Sequence, residues 1–305
     1  MNDISCVALD WGTSRLRLWV IGRDGSVTAQ RHTDEGLEGA RALGFAATLE
    51  NHLSELGVGA DVPVIICGMA GSRQGWVEAP YVDTPALLSS VIQNAQTISG
   101  ISRDIRILPG VAQRSAMEPD VMRGEETQLL GLITESSRQL VCMPGTHSKW
   151  VEVNEFSVQR LTTFLTGELF ALFAGHSLLR HSVGDVRTFP LETQAFEDAC
   201  ADMIAHPQAL SQRLFSVRAA GLLHGFSQTD CAAKLSGLLI GAEIGGAKLS
   251  YGTASNVTLV GVGGLGKLYE KALQMAGFRY TVSDGEALVR AGLIAAAKQF
   301  WSSRF

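Results

Sequence analysis

Short apolar runs that end in glycine-rich turns recur along the chain, separated by stretches of helical spacing. The pattern predicts strands at Ser5–Leu9 and Arg15–Ile21, joined by Asp10-Trp11-Gly12-Thr13-Ser14. A turn at Arg23-Asp24-Gly25-Ser26 then leads to a third predicted strand, Val27–Arg31. Gly39 to Leu56 has helical spacing. Val62–Cys67 is continuously apolar and runs into Gly68-Met69-Ala70-Gly71-Ser72, as a buried strand feeding a loop would. A helix over about 85–96, a strand over 104–108 and a helix over 124–133 are expected next. Glu125 and Glu126 fall in that helix's first turn, where the helix dipole favours acids.

A second strand–loop–strand begins at Gln139. It reads Leu140-Val141-Cys142-Met143, then Pro144-Gly145-Thr146-His147-Ser148, then Lys149-Trp150-Val151-Glu152-Val153. Laid over the first hairpin, Gly12-Thr13 falls on Gly145-Thr146, an offset of 145 − 12 = 133. Residues 168–250 read as largely helical, with a break near Gly184–Pro190. A strand over 258–262 enters Gly263-Gly264-Leu265-Gly266 and a helix to Met275, and a short strand over 280–282 precedes a last helix over 286–301. The two halves divide near Thr134–Arg138, giving expected domains of residues 1–138 and 139–305, with the last helix free to pack back on the interface. Strands alternating with helices point to an α/β fold.

Composition narrows the class. Lys and Arg number 25 against 30 Asp and Glu, a net charge of −5, which argues against a broad nucleic-acid footprint. Charged residues are only 18% and hydrophobic residues 46%, so the chain can bury a large core. The most apolar stretch, Ala287 to Phe300, carries Arg290 and Lys298, and no apolar run is long enough for a membrane span. Apolar residues begin almost at once behind Asp3, without a basic leader, so no secretory signal is expected. The cysteines at 6, 67, 142, 200 and 231 form no CxxC pair and read as reduced core residues of a cytoplasmic protein.

Three loops carry candidate chemistry. Each follows an apolar strand and sets Gly beside Thr, Ser or another Gly, so that backbone N–H groups can approach phosphate oxygens. Gly12, Thr13, Ser14 and Arg15 form the first, Gly145, Thr146, His147, Ser148 and Lys149 the second, and Gly263 and Gly264 the third. Asp10, at the end of the first strand, could hold Mg²⁺ directly or through water; an ordinary turn-starting Asp is the alternative. Any one such loop also suits a plain tight turn, whereas three in one chain favour nucleotide binding. Gly261-Val262-Gly263-Gly264-Leu265-Gly266 fits the dinucleotide fingerprint, with Asp284 following 284 − 266 = 18 residues on. Only 305 − 284 = 21 residues then remain, too few for the other half of such a domain, and that reading leaves the two Gly-Thr hairpins unexplained.

Two related halves, each opening with a Gly-Thr hairpin, and a late Gly-Gly turn resemble the sugar kinase, actin and heat-shock chaperone superfamily. Within it the chain resembles the 2-keto-3-deoxy-galactonokinase family through four blocks: Ala8–Arg17 (ALDWGTSRLR), Gly68–Trp76 (GMAGSRQGW), Met122–Gln128 (MRGEETQ) and Met143–Val151 (MPGTHSKWV). The resemblance implies two ribonuclease-H-like, actin-like ATPase domains with a cleft between them. It further implies a cytoplasmic enzyme that moves the γ-phosphoryl group of ATP, with Mg²⁺, to the 6-hydroxyl of 2-dehydro-3-deoxy-D-galactonate. Its partners would be that small sugar acid and ATP, with no nucleic acid and no membrane; a homodimer is compatible with it. A kinase for another hexonate or hexose, and a non-catalytic nucleotide-switched protein of the same fold, remain as alternatives.

The resemblance also suggests roles. Asp10 matches the metal-associated acid of the first phosphate loop. Glu125 follows Gly124 where glycerol-type kinases carry the Asp that takes the hydroxyl proton; this chain has Glu there, followed at once by Glu126. Two cap acids at a helix dipole are the plainer account. Arg73 stands where related kinases place a substrate-gripping Arg, and its fork suits a carboxylate. Gln74 could bond a sugar hydroxyl and Trp76 cover an apolar sugar face, although an interior Trp is commoner. Arg123 is a second carboxylate candidate, or a partner for Glu126. His147 and Lys149 are expected near the β- and γ-phosphates, with the adenosine site in the second half and the sugar-acid site in the first.

Overall fold

Two sheets with the same strand order carry the molecule, in a computed structural model that describes residues 4–186, 188–191, 193–253 and 256–305. In the first sheet β1 (Ile4–Trp11), β2 (Leu16–Gly22) and β3 (Val27–Thr33) form an antiparallel meander. β4 (Val64–Gly68) and β5 (Ile105–Ile107) join β1 on its other side in parallel, giving the order β3-β2-β1-β4-β5. β1 and β4 are buried on both faces, which is why they read as unbroken apolar runs. Trp11, Leu18, Leu49, Leu53, Ile66 and Ile107 belong to one core beneath this sheet. Its helices are α1 (Leu37–Leu43), α2 (Phe45–Glu55), α3 (Leu88–Gln93) and α4 (Glu125–Leu132).

The second sheet repeats the plan. β6 (Gln139–Met143), β7 (Ser148–Asn154) and β8 (Ser157–Phe164) run out as a meander, and β9 (Val257–Val260) and β10 (Tyr280–Ser283) add in parallel, in the order β8-β7-β6-β9-β10. The helices of the second half are α5 (Thr166–His176), α6 (Arg180–Val183), α7 (Gln194–Ala205), α8 (Leu210–His224), α9 (Gln228–Tyr251) and α10 (Gly263–Ala276). α9 starts at a capping box between Ser227 and Asp230 and is buried along most of its length. It meets α7 backbone to backbone: a Cβ on Gly237 or Gly241 would lie 2.4 Å from Phe196 O and 2.6 Å from Cys200 O. The α/β, twice-repeated ribonuclease-H-like architecture that the resemblance implies is thus present. All five cysteines are buried free thiols, and among the described residues no helix is long and apolar enough to cross a membrane.

The chain divides by contacts into one unit of Met1–Ser137, Asn154–Arg160 and Gly285–Phe305, and another of Arg138–Val153 and Leu161–Asp284. Whereas the sequence reading keeps 139–305 together, the last helix, α11 (Gly285–Phe300), groups with the first unit. The reason is close packing. A Cβ on Gly292 would lie 1.9 Å from Thr127 O, and one on Gly131 would lie 2.1 Å from Leu288 O, so α4 and α11 touch along their glycines. Asn154–Arg160 joins the first unit because Ser157 and Val158 pair with Leu87 and Ala86.

Several local expectations change. The single helix over 39–56 is two, because Gly44 at φ +88 interrupts the α-helical backbone. The helix over 85–96 shrinks to Leu88–Gln93. β8 was not expected at all: the turn into it uses Glu155 and Phe156 at φ +50 and +57, where a hairpin normally announces itself with Asn-Gly.

The glycine contact sets an expectation for stability. Gly292→Ala should destabilise the chain by about 1–3 kcal/mol in urea denaturation, because α4 and α11 must separate. Gly175→Ala, whose Cβ would meet nothing within 4 Å, should stabilise α5 by up to about 1 kcal/mol. Equal effects at both sites would remove close packing as the reason.

Candidate active site

The first hairpin pairs Asp10 with Arg17 across β1 and β2. Arg17 Nη2 donates to Asp10 Oδ2, and Arg17 Nη1 lies 3.9 Å from Glu286 Oε2, in the first turn of α11. These side chains and Gly12 line a polar cavity of about 420 Å³ within the first unit. Burial pushes the Asp10 carboxyl above its usual range and Glu286 adds to this, against the pull of Arg17 and a hydrogen bond with the Cys67 thiol. Gly12 N donates to Arg15 O at 2.9 Å, leaving Thr13, Ser14 and Arg15 exposed at the tip. The loop is pinned from behind, since a Cβ on Gly36 would fall 2.2 Å from Thr13 O.

Beside this, the start of α4 separates the two acids. Gly124, at φ +110, donates its N–H to both carboxylate oxygens of Glu126, at 2.9 and 2.8 Å. Glu126 is 0% exposed, and burial, helped by the neighbouring Glu125 charge, pushes its carboxyl up to about 8. Glu125 is half-buried, and its Oε2 accepts the Arg123 N–H at 3.0 Å. Glu126 is therefore an internal strut of the helix start, and Glu125 is the acid that remains partly exposed.

The arginines sort differently from expectation. The Arg73 side chain is 88% exposed and lies 3.7 Å from Glu78, so nothing encloses it. Arg123 is held: its Nη2 donates to Ala79 O at 2.9 Å and its guanidinium lies 4.3 Å over the Tyr81 ring. Its Nε and Nη1 are buried with no acceptor, and so is the Ser72 hydroxyl. Gln74 is exposed, with its carbonyl accepting from Arg41. Trp76 stacks on Phe45 at 5.9 Å and meets Trp11 edge-on, the plainer of its two expected fates.

In the second unit a cavity of about 230 Å³ is lined mostly by apolar side chains of α5, α9 and α10, among them Phe170, Leu239 and Leu268. Gly145 of the second loop and Gly264 of the third stand at its wall. A Cβ built on Gly263 or Gly264 meets nothing within 4 Å, and one on Gly145 meets only His147 O at 3.9 Å. An apolar slot with bare backbone at one wall fits an adenosine with its phosphates. Thr146 and His147 are exposed at the loop tip, where His147 Nε2 pairs with Glu168. Ser148 and Lys149 lie inside β7 instead. Ser148 is fully buried, with its hydroxyl donating to Glu243 at 2.6 Å and so turned away from any phosphate; Lys149, next along the strand, is also buried.

Among the described residues no cluster of three or more His, Cys, Asp or Glu could cage a metal. Mg²⁺ keeps waters and takes one or two carboxylates besides phosphate oxygens, and Asp10 with Glu286 on one cavity wall meets that modest demand. The sequence reading missed Glu286, Cys67 and Glu243 as parts of these sites. Glu243 alone left a trace in the sequence, an acid in the apolar run Leu238–Ile244.

Comparison with known proteins gives the family. The sequence model described as 2-keto-3-deoxy-galactonokinase matches residues 10–296. A protein of Rhizobium meliloti (strain 1021) described as a probable 2-dehydro-3-deoxygalactonokinase is 50% identical over 296 residues, 96% of this chain and 97% of that one. The 2-dehydro-3-deoxygalactonokinase of Escherichia coli (strain K12) is 32% identical over 287 residues, covering 94% and 95%. A crystal structure from Sinorhizobium meliloti that carries the same enzyme name superposes with a TM-score of 0.95 at 50% identity, covering 97% of this chain and 99% of that one.

The buried acid makes a pH prediction. Glu126 keeps its proton in the folded chain up to about pH 8 but loses it near the ordinary 4.5 when unfolded. The unfolded state then binds fewer protons, so stability falls as pH rises through that window. Glu126→Gln should remove the fall, worth on the order of a few kcal/mol. Urea denaturation of both proteins at pH 5 and pH 8 measures it; parallel pH dependences would mean that Glu126 is ionised in its pocket.

Proposed function

The chain belongs to the 2-keto-3-deoxy-galactonokinase family and is a sugar kinase, and from that premise we propose that it phosphorylates 2-dehydro-3-deoxy-D-galactonate at the 6-hydroxyl with ATP, in galactonate breakdown. The observation that carries the sugar-acid reading is Arg123, whose Nε and Nη1 are buried without an acceptor two residues from Glu125. Unmet donors of a buried guanidinium are costly; Nε and Nη1 lie on opposite edges of the group, so a substrate carboxylate accepts from one of them and not from both. A neutral hexose offers no such group.

In this mechanism the apolar cavity of the second unit takes the adenosine, and backbone N–H groups near Gly145, Gly263 and Gly264 take phosphate oxygens. Thr146 and His147 supply further donors from the second loop, and Gly12, Thr13, Ser14 and Arg15 from the first. Arg123 holds the substrate carboxylate, with Arg73 and Gln74 on the exposed rim of the same loop region. The substrate O6 attacks the γ-phosphorus with its lone pair while its proton passes to Glu125. The bond from the γ-phosphorus to the bridging oxygen breaks, and ADP leaves with that electron pair. Asp10, oriented by Arg17, and Glu286 are the residues that would hold Mg²⁺, which when bound neutralises phosphate charge.

ADP release measured against a panel of 3-deoxy-2-keto acids and neutral hexoses tests the reading. Sugar acids should be turned over and hexoses should not; comparable turnover of both would overturn it, and nucleotide turnover without any sugar would favour a nucleotide switch. Arg123→Lys should raise KM for the acid by about tenfold or more, with KM for ATP little changed, because a point charge replaces the fork. Glu125→Gln should lower kcat by about 10²–10⁴. Full activity in Glu125→Gln would place the base elsewhere.

A further inference from the structure

Glu243 lies mid-way along α9, 1% exposed, flanked by Leu239, Ile240 and Ile244. Its carboxylate accepts four hydrogen bonds from three other elements of the second unit. Oε1 takes Ser148 Oγ at 2.6 Å and Trp150 Nε1 at 2.9 Å, both on one face of β7. Oε2 takes Thr166 Oγ1, at the start of α5, and Tyr269 OH of α10 at 2.6 Å. A carboxylate buried at this depth is costly unless donors surround it, and an apolar residue is often no worse for stability alone.

The donors explain why a carboxyl group is kept here. Thr166 and Tyr269 line the apolar cavity, and Ser148 follows directly on the second loop. Gly167, next to Thr166, backs that loop so closely that a Cβ would lie 2.5 Å from Gly145 O. Glu243 thus ties the loop, the start of α5 and the wall of α10 to one point behind the cavity, which it does not itself line. We propose that Glu243 is a positioning residue for the nucleotide, holding the cavity wall and the second loop in the shape that receives adenosine and phosphate. The proposal rests on the nucleotide reading of that cavity. It assigns Ser148 to the same frame and not to a phosphate contact.

Calorimetric titration with ADP and Mg²⁺ separates the outcomes. Wild-type protein should bind ADP; absence of binding would overturn the nucleotide reading and this proposal with it. Glu243→Ala should weaken ADP binding by about tenfold or more while leaving KM for the sugar acid unchanged. Glu243→Gln should bind ADP nearly as wild type, because its carbonyl can face Ser148 and Trp150 while the Thr166 and Tyr269 hydroxyls turn to accept from its amide. Wild-type ADP affinity in a folded Glu243→Ala, with only its melting temperature lowered, would leave the nucleotide reading standing and overturn the positioning role. Should the Ala variant not fold, Tyr269→Phe decides. Its loss of ADP affinity should shrink in the Glu243→Gln background; an identical loss in both backgrounds would count against coupling through Glu243.

Discussion

The contact of α4 with α11, glycine against backbone, holds the chemistry of the first unit in place. Thr127 O and Gly292 approach so closely that neither helix can carry a side chain there. That approach sets the start of α4, with Glu125 and Glu126, and the start of α11, with Glu286, against the ends of β1 and β4. Gly124 then lies 3.7 Å, measured from its would-be Cβ, from Gly68 Cα. Asp10, Cys67 and the adjacent pair Glu126 and Thr127 become neighbours in consequence, although the three places are far apart in the chain.

Three buried carboxylates show different ways of meeting the same cost. Asp10 is answered by one cation, Arg17. Glu126 accepts the N–H of Gly124 on both oxygens, and the adjacent Glu125 works against its ionisation. Glu243 relies on four neutral donors and no cation. A group held by a cation next to a cavity can exchange that partner for another, whereas one enclosed by neutral donors serves as a fixed point. The distinction separates the acid assigned to metal and phosphate from the acids assigned to scaffolding.

The two sheets also show how a repeated plan diverges. By the offset of 133 the position of Asp10 is taken by Met143, which is buried in the second sheet. The second hairpin instead turns Ser148 and Trp150 inwards to Glu243. One copy of the hairpin thus retains an acid at the loop, and the other is braced from behind beside an apolar cavity.

The Gly-Thr hairpins, the buried strands that feed glycine-rich loops and the acid pair after Gly124 were all legible in the sequence, because each depends on local pattern. A buried parallel strand must be apolar throughout, and a loop that approaches phosphate must be small. The strand β8 was not legible, since Glu155 and Phe156 adopt left-handed backbone without the residues that advertise it. Trp76 and Ser148 belong to motifs whose spacing fits a ligand, yet packing turned one into the Phe45 stack and the other towards Glu243. Arg73 and Arg123 likewise looked alike as sequence. Only the tertiary structure buried one guanidinium with donors unmet and left the other in water, because burial depends on what Tyr81 and Ala79 do and not on the arginine's own neighbours in the chain. By itself the sequence determined the fold class and the position of the glycine-rich loops at the strand ends. Which side chains face those loops was decided by contacts between residues about 30 to 95 positions apart, such as Trp76 with Phe45 and Ser148 with Glu243, which no local spacing encodes.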